Sequence, residues 1–256
     1  MIHTTEITSA AIASDKPIHE RLLFAYVEAA KYVNGDLLDI GCGEGRGLHY
    51  LRDKVNSYTG IDKNPIVLEG LRKQYPDDRF LQMNIPPFAG LNDNTFDTAV
   101  SFQVVEHIDN DVKYVEEIHR VLKPGGMAIL STPNIKMSLT RNPWHVREYT
   151  YQEFEKLLSK YFKSVECLGV YGDEKVMAYF EENKKGVEKF TRFDIFNLQY
   201  KLPRKWLEIP YNIANRMNRN KLMDQNDGAF SEIDTNSFHL DKVTDKCFDL
   251  FYIASK

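Results

Sequence analysis

Cysteine is scarce in this sequence: Cys42, Cys167 and Cys247 are the only three among 256 residues. An odd number at wide spacing offers no disulfide framework, and these thiols are expected to be reduced and structural, as in a reducing compartment. No Cys-x-x-Cys or His-x-x-x-His cluster occurs, so no metal site is expected. Long apolar runs are also missing. Nothing approaches the ~18–20 consecutive apolar residues that cross a bilayer. The opening stretch MIHTTEITSAAIASDKP carries Glu6 and Asp15 and lacks a basic segment followed by an apolar one. It does not read as a targeting signal, and a soluble cytoplasmic protein is expected. There is no basic excess either: 33 basic and 37 acidic residues give a net charge of −4. That balance speaks against a general polyanion binder, and nucleic acid is not an expected partner. Repeats and low-complexity tracts are absent.

What the chain has is enough apolar residue, 43%, for a sizeable core, in a length that suits one α/β domain with an elaboration. From about residue 36 to 172 strand and helix patterns alternate. Leu37–Ile40 is a short apolar run ending in glycine. Further strands are predicted at 58–62, 79–83, 98–101, 127–131 and 164–170. Val112, Val115, Ile118, Val121 and Leu122 form one helical face that ends at Lys123-Pro124-Gly125-Gly126. Tyr151, Phe154, Leu157, Leu158 and Phe162 form another, opened by the capping-box pattern Thr150-Tyr151-Gln152-Glu153. Ile18–Val33 reads as an amphipathic helix ahead of the sheet. The expected fold is α/β: a Rossmann-like, doubly wound, seven-stranded sheet, mostly parallel with the last strand antiparallel. One domain is expected, with a core over 18–172, a helical cap inserted over 174–241, and a final strand over 247–254.

Glycines at 41, 43, 45 and 47 follow the first strand and precede a helix. Bare backbone lets a ligand approach closely, and a helix start offers free N–H groups. A dinucleotide fingerprint wants its third glycine at the sixth position, where this chain has Arg46. Asp39, two residues before the first glycine, suits a ligand with an ammonium group better than a pyrophosphate; its other reading is a carboxylate that holds the loop by backbone hydrogen bonds. Asp62 closes the second strand about twenty residues beyond the loop, where an acid can accept from both ribose hydroxyls, or cap the helix that begins near Pro65.

In order and spacing, DIGCGEGRG, GIDKN, FDTAVSFQVVEHI and EIHRVLKPGGMAILSTPN resemble the motifs of class I S-adenosylmethionine-dependent methyltransferases. They look most like the group that includes ubiquinone-biosynthesis O-methyltransferases and bacterial glycan methyltransferases. The resemblance covers roughly residues 19–170 and the last strand. It implies S-adenosylmethionine as cofactor and S-adenosylhomocysteine as product. It implies that Asp39, Gly41, Cys42 and Gly43 surround the methionine part, that Asp62 binds the ribose, and that Lys63 flanks the adenine. Asn84, with Ile85 beside it, stands where the family often has an adenine-binding Asp; it keeps a carbonyl acceptor and loses the charge. Phe102 and Gln103 are expected beside the reactive sulfonium.

Methyl transfer from a sulfonium is an in-line displacement that needs alignment, exclusion of water, and a base when the acceptor is a hydroxyl. His107 and His145 are the candidate bases. The plainer alternatives are that His107 packs and caps the next helix beside Asp109, and that His145 only locks its loop. The segment Asn142-Pro143-Trp144-His145-Val146-Arg147-Glu148-Tyr149 resembles the family's substrate-facing loop, which makes His145, Arg147, Glu148 and Tyr149 candidate substrate-binding residues. In the insertion, residues 191–221 hold seven basic side chains against Asp194 and Glu208. That excess suits an anionic acceptor, a solvated face over a Phe193, Phe196 and Tyr200 core stripe, a nucleic acid or a membrane-surface helix. The expected function is methylation of a small-molecule or glycan acceptor at oxygen. Alternatives are N-methylation, cofactor binding without turnover, and a nucleotide-cofactor oxidoreductase, against which the glycine spacing argues.

Overall fold

The protein is described from a computed structural model, which covers residues 13–192, 194, 197–225 and 229–256. Its strands are β1 (Asp36–Ile40), β2 (Ser57–Asp62), β3 (Arg79–Gln82), β4 (Phe96–Phe102), β5 (Leu122–Pro133), β6 (Ser164–Gly172), β7 (Phe238–Lys242) and β8 (Asp249–Ser255). Its helices are α1 (Lys16–Ala29), α2 (Leu48–Leu51), α3 (Pro65–Gln74), α4 (Asp111–Val121), α5 (Tyr151–Leu158), α6 (Glu174–Thr191), α7 (Leu198–Lys201) and α8 (Arg204–Gln225).

The strands form one sheet in the order β3-β2-β1-β4-β5-β8-β6-β7. β1 to β5 are parallel neighbours, and β8 runs antiparallel to both β5 and β6. The sheet thus has eight strands where seven are expected. The extra one, β7, lies inside the segment assigned to the helical cap and pairs antiparallel with β6 from Gly172↔Phe238 to Leu168↔Lys242. It is an edge strand with mostly exposed side chains, so it lacks the two-faced apolar run that betrays a central parallel strand. The final strand begins at Asp249 rather than Cys247.

Alternation along the strands builds two cores. Leu37 packs with Phe24, Tyr58, Val100 and Phe251 on one face, while Leu38 and Ile40 pack with Ile61, Ala99, Ile118 and Leu130 on the other. The same alternation sends the Asp39 side chain to the face covered by α1. The predicted capping box closes as read: Thr150 accepts from the Glu153 amide, and Glu153 reaches back to the Thr150 amide. Other expected caps fall elsewhere. Asn64, not Asp62, caps α3, and Asn110, not His107, caps α4; in each case a short amide side chain stands one residue ahead of the helix and reaches its free N–H groups.

After β6 the chain leaves the sheet as α6, α7 and α8 and returns through β7. α8 is fastened to the start of α1 by buried Asp15, whose Oδ1 accepts from Arg216 Nη1 and Arg219 Nη1, each at 2.8 Å. Among the described residues no helix is long and apolar enough to cross a membrane.

Candidate active site

β1 and β4 are neighbours whose chain continues in opposite directions across the sheet, and a crevice opens where this happens, at their carboxyl ends. The cavity there is about 1080 Å³ and lies between the sheet, α1, the 138–148 segment and the inner faces of α6 and α8. It is at the upper end of ordinary small-molecule sites, which gives room for two ligands side by side.

The glycine loop forms its floor. Gly43 has φ +52°, and a Cβ added there would meet no atom within 4 Å, because it would stand in the cavity itself. Gly47 is needed for a different reason: a Cβ there would lie 1.8 Å from the Tyr26 ring. Asp39 is buried beneath the loop and does not line the cavity. Its Oδ2 accepts from Tyr58 Oη at 2.6 Å and its Oδ1 from Tyr26 Oη at 3.5 Å. Burial pushes its pKa up to about 7 against the opposing pull of those two hydroxyls. The Asp39 carboxylate therefore holds the loop through tyrosines that the sequence did not single out. Tyr26 also sets its ring edge-on to Phe102, at 4.7 Å between centroids, so one α1 side chain supports both sides of the crevice. The Cys42 thiol is buried, and burial raises its pKa well above the ordinary thiol range, so it is a packing group.

Asp62, at the tip of β2, accepts from the Gly43 amide at 3.0 Å and the Asn64 amide at 2.8 Å. It thereby ties the glycine loop to the end of the neighbouring strand while facing the cavity. Lys63, Asn84 and Ile85 line the same end, and Phe102 and Gln103 line the middle. Gln103 stands at φ +57° directly after β4, with its amide donating to Ser131 O at 2.9 Å. A left-handed non-glycine residue held by the neighbouring strand is the kind of local strain that collects at functional sites.

The other half of the cavity is built around Glu106, His107 and His145, whose polar atoms lie within 4.8 Å of one another. His107 Nδ1 meets Trp144 O at 2.9 Å, so that nitrogen carries the proton. His145 Nδ1 donates to Glu148 Oε1 at 2.6 Å, and its Nε2 accepts from Asn142 Nδ2 at 2.8 Å. Ser138 Oγ holds the second Glu148 oxygen. The two imidazoles meet edge to face at 5.0 Å. Glu106 is 1% exposed; Thr132 donates to its Oε2 at 3.1 Å, and its Oε1 is buried with no hydrogen-bond partner. Burial pushes its pKa up to about 7, although the nearby His145 charge acts to lower it.

Of the predicted site residues, the crevice brings together Gly41, Cys42, Gly43, Asp62, Lys63, Asn84, Ile85, Phe102, Gln103, His107, His145 and Glu148. Arg147 and Tyr149 point elsewhere. Arg147 pairs with Asp111 and donates to Asp109 O at 2.8 Å, and Tyr149 Oη donates to Asp111 Oδ2 at 2.8 Å. Both brace the loop from behind, because alternate residues of this extended stretch face opposite ways. Two of the seven basic residues at 191–221 are spent on Asp15. Tyr200 is 62% exposed rather than part of a core stripe, and Phe193 and Phe196 lie outside the described residues. Sequence reasoning missed Tyr26 and Tyr58, whose contacts with Asp39 have no local signature. It also passed over Glu106, for which an acid between apolar residues just after a buried strand was the available signal.

Comparison with known proteins agrees with this geometry. A family model for a methyltransferase domain matches residues 38–130, which includes the glycine loop, Asp62 and the Glu106-His107 pair. A probable S-adenosylmethionine-dependent methyltransferase of Mycolicibacterium smegmatis is 34% identical over 175 residues, covering 66% of this chain and 68% of that protein. A ubiquinone biosynthesis O-methyltransferase of Paracidovorax citrulli is 29% identical over 127 residues, covering 46% of this chain, which there spans about half of the relative's length, 53%. Among solved structures, a methyltransferase of Thermotoga maritima described as a possible histamine N-methyltransferase superposes with a TM-score of 0.58 at 16% identity, over 93% of this chain and 91% of that one. At that identity the likeness speaks for the fold alone. The sequence relatives, with a family model whose match includes the glycine cradle, carry the assignment: this chain belongs to the S-adenosylmethionine-dependent methyltransferases.

Proposed function

We propose that the chain methylates a hydroxyl of a small-molecule or glycan acceptor held between the glycine cradle and the 142–148 segment. The observation that carries this reading is the Glu106, His107, His145 and Glu148 cluster, which opens into the same cavity as the cradle. The bound cofactor supplies the methyl group on a positively charged sulfur. On this reading Asp62 binds the ribose hydroxyls, Lys63, Asn84 and Ile85 meet the adenine, and Gly43 meets the methionine chain, while Asp39 acts from beneath through Tyr26 and Tyr58.

His145 is the better base of the two histidines. Glu148 accepts from its Nδ1, which fixes the tautomer and leaves Nε2 as the atom that takes a proton. An acceptor hydroxyl replaces the Asn142 amide at that nitrogen. The cofactor, when bound, would give up its methyl group and leave as the neutral thioether S-adenosylhomocysteine. His145 Nε2 is the atom that would take the acceptor hydroxyl's proton, and Glu148 and the buried Glu106 would stabilise the imidazolium. His107 Nδ1 anchors on the Trp144 main-chain carbonyl, and on this reading His107 positions the acceptor. Residues of α1, α6 and α8 wall the cavity.

Replacing His145 with Ala or Gln is expected to lower turnover on a hydroxyl acceptor by about 10²–10⁴-fold while calorimetry shows unchanged affinity for S-adenosylmethionine. His107→Gln is expected to act mainly on the acceptor KM. Near wild-type kinetics in both variants would exclude base catalysis at this rim.

A further inference from the structure

Eleven large apolar side chains are well exposed among the described residues, and six of them fall within twenty residues of α7 and α8. Trp206, Ile209, Ile213 and Met217 are 71%, 71%, 57% and 58% exposed. Their spacing of three, four and four places them on a single outward face of α8. Leu198 and Tyr200, 44% and 62% exposed, extend the patch onto α7. Singly scattered apolar residues need no explanation, but a contiguous stripe of this kind marks a contact surface.

α8 is firmly seated. Arg216 and Arg219 clasp buried Asp15, and Asn218 Nδ2 donates to Asn183 of α6 at 2.6 Å. The face pointing inward supplies Leu207, Tyr211 and Asn215 to the cavity wall. The outer stripe is therefore not a core face waiting to be packed; the helix already has its core contacts on the other side.

The charges around the stripe point to its partner. Lys201, Lys205 and Lys221 are exposed beside it, whereas Glu208 is half-buried. In a chain with net charge −4 this is a local reversal of sign. A second copy of the chain, related by a two-fold axis, would bring these lysines against their own copies and add a second acidic body. An anionic lipid surface matches on both counts. It receives apolar side chains at the level of the headgroups, suits Trp and Tyr there, and pairs with lysines whose stems lie along the stripe. We propose that the outward face of α8, with α7, docks the protein on an anionic bilayer, the helix lying in the plane of the interface.

Docking this way sets the cap wall of the cavity against the lipid. On the methyl-transfer reading of that cavity, an amphipathic acceptor anchored in the membrane is the class of substrate best placed to reach it. The docking itself is measured without any turnover, so its failure and that of the methyl-transfer reading are separable.

The test is sedimentation of the full chain with vesicles of phosphatidylcholine alone or mixed with 30% phosphatidylglycerol. Binding is expected with the anionic vesicles only, weakened at least tenfold by 0.5 M salt. It should bring a blue shift of tryptophan emission that Trp206→Phe removes. An Ile209→Ser/Ile213→Ser variant is expected to lose at least tenfold in partitioning while keeping its affinity for S-adenosylmethionine, which shows that it has folded. Equal or absent binding to the two vesicle types overturns the proposal. So does a dimer seen by light scattering that the double variant abolishes, since the face would then belong to a second copy.

Discussion

The main-chain carbonyl of Glu106 accepts the amide of Val146 at 2.7 Å. One bond thus joins the turn that follows β4, where the side chain of Glu106 is buried, to the loop that presents His145. The Arg147 amide donates to the same oxygen at 3.3 Å, and the Arg147–Asp111 pair braces the loop from outside. These main-chain contacts position the loop, and Glu148 and Asn142 then orient the His145 ring through its two nitrogens.

Glu106 should impose a pH dependence on the reaction. Its pKa is pushed up to about 7, so near neutrality it is divided between a neutral acid and a carboxylate. Only the carboxylate supports an imidazolium at His145. Turnover of a hydroxyl acceptor is therefore expected to rise as pH increases through about 7. Glu106→Gln should run several-fold slower and lose that limb of the pH–rate profile, whereas a profile that keeps the limb assigns it to another group.

Gly43 and Gly47 should fail in different ways. Gly43→Ala meets no neighbour but must adopt φ +52°, which costs about 1–2 kcal/mol for an L residue, and its methyl enters the cofactor cradle. A drop of a few degrees in Tm is expected, with an S-adenosylmethionine Kd at least tenfold weaker by calorimetry. Gly47→Ala drives a methyl into the Tyr26 ring; it should lower Tm much more than Gly43→Ala does, because Tyr26 is itself fixed between Asp39 and Phe102.

Asp39 links the cradle to stability. Its folded pKa of about 7 stands above the ordinary 3.8, so between these values the folded protein holds a proton that the unfolded chain has released. Stability from this group is complete at acid pH and falls as pH rises through about 7. Asp39→Asn keeps a partner for Tyr58 and removes the titration. Its Tm relative to wild type is expected to increase between pH 5 and 8, measured without cofactor, while its affinity for S-adenosylmethionine falls. A Tm difference that is flat with pH would mean that Asp39 is ionised at no cost.

The elements that act locally were legible in the sequence. The glycine spacing with Arg46 at its sixth position, the acid at the tip of the second strand, the capping box at Thr150 and the central parallel strands all follow from backbone geometry within a few residues, and the chain writes them down in order. Edge strand β7 escaped because a strand with one buried residue in five has no period to read. Asp39 is held by two tyrosines and does not line the cavity, and Arg147 and Tyr149 brace the loop through Asp111, contacts that the sequence did not announce. Sequence by itself determined which cofactor the chain is built around, since that depends on short motifs whose physics is local. Tertiary structure alone decided which groups face the acceptor and which support from behind, because a side chain's direction is set by neighbours far along the chain: Tyr26 and Tyr58 for Asp39, Asp111 for Arg147, and Asp15 for the helix that roofs the cavity.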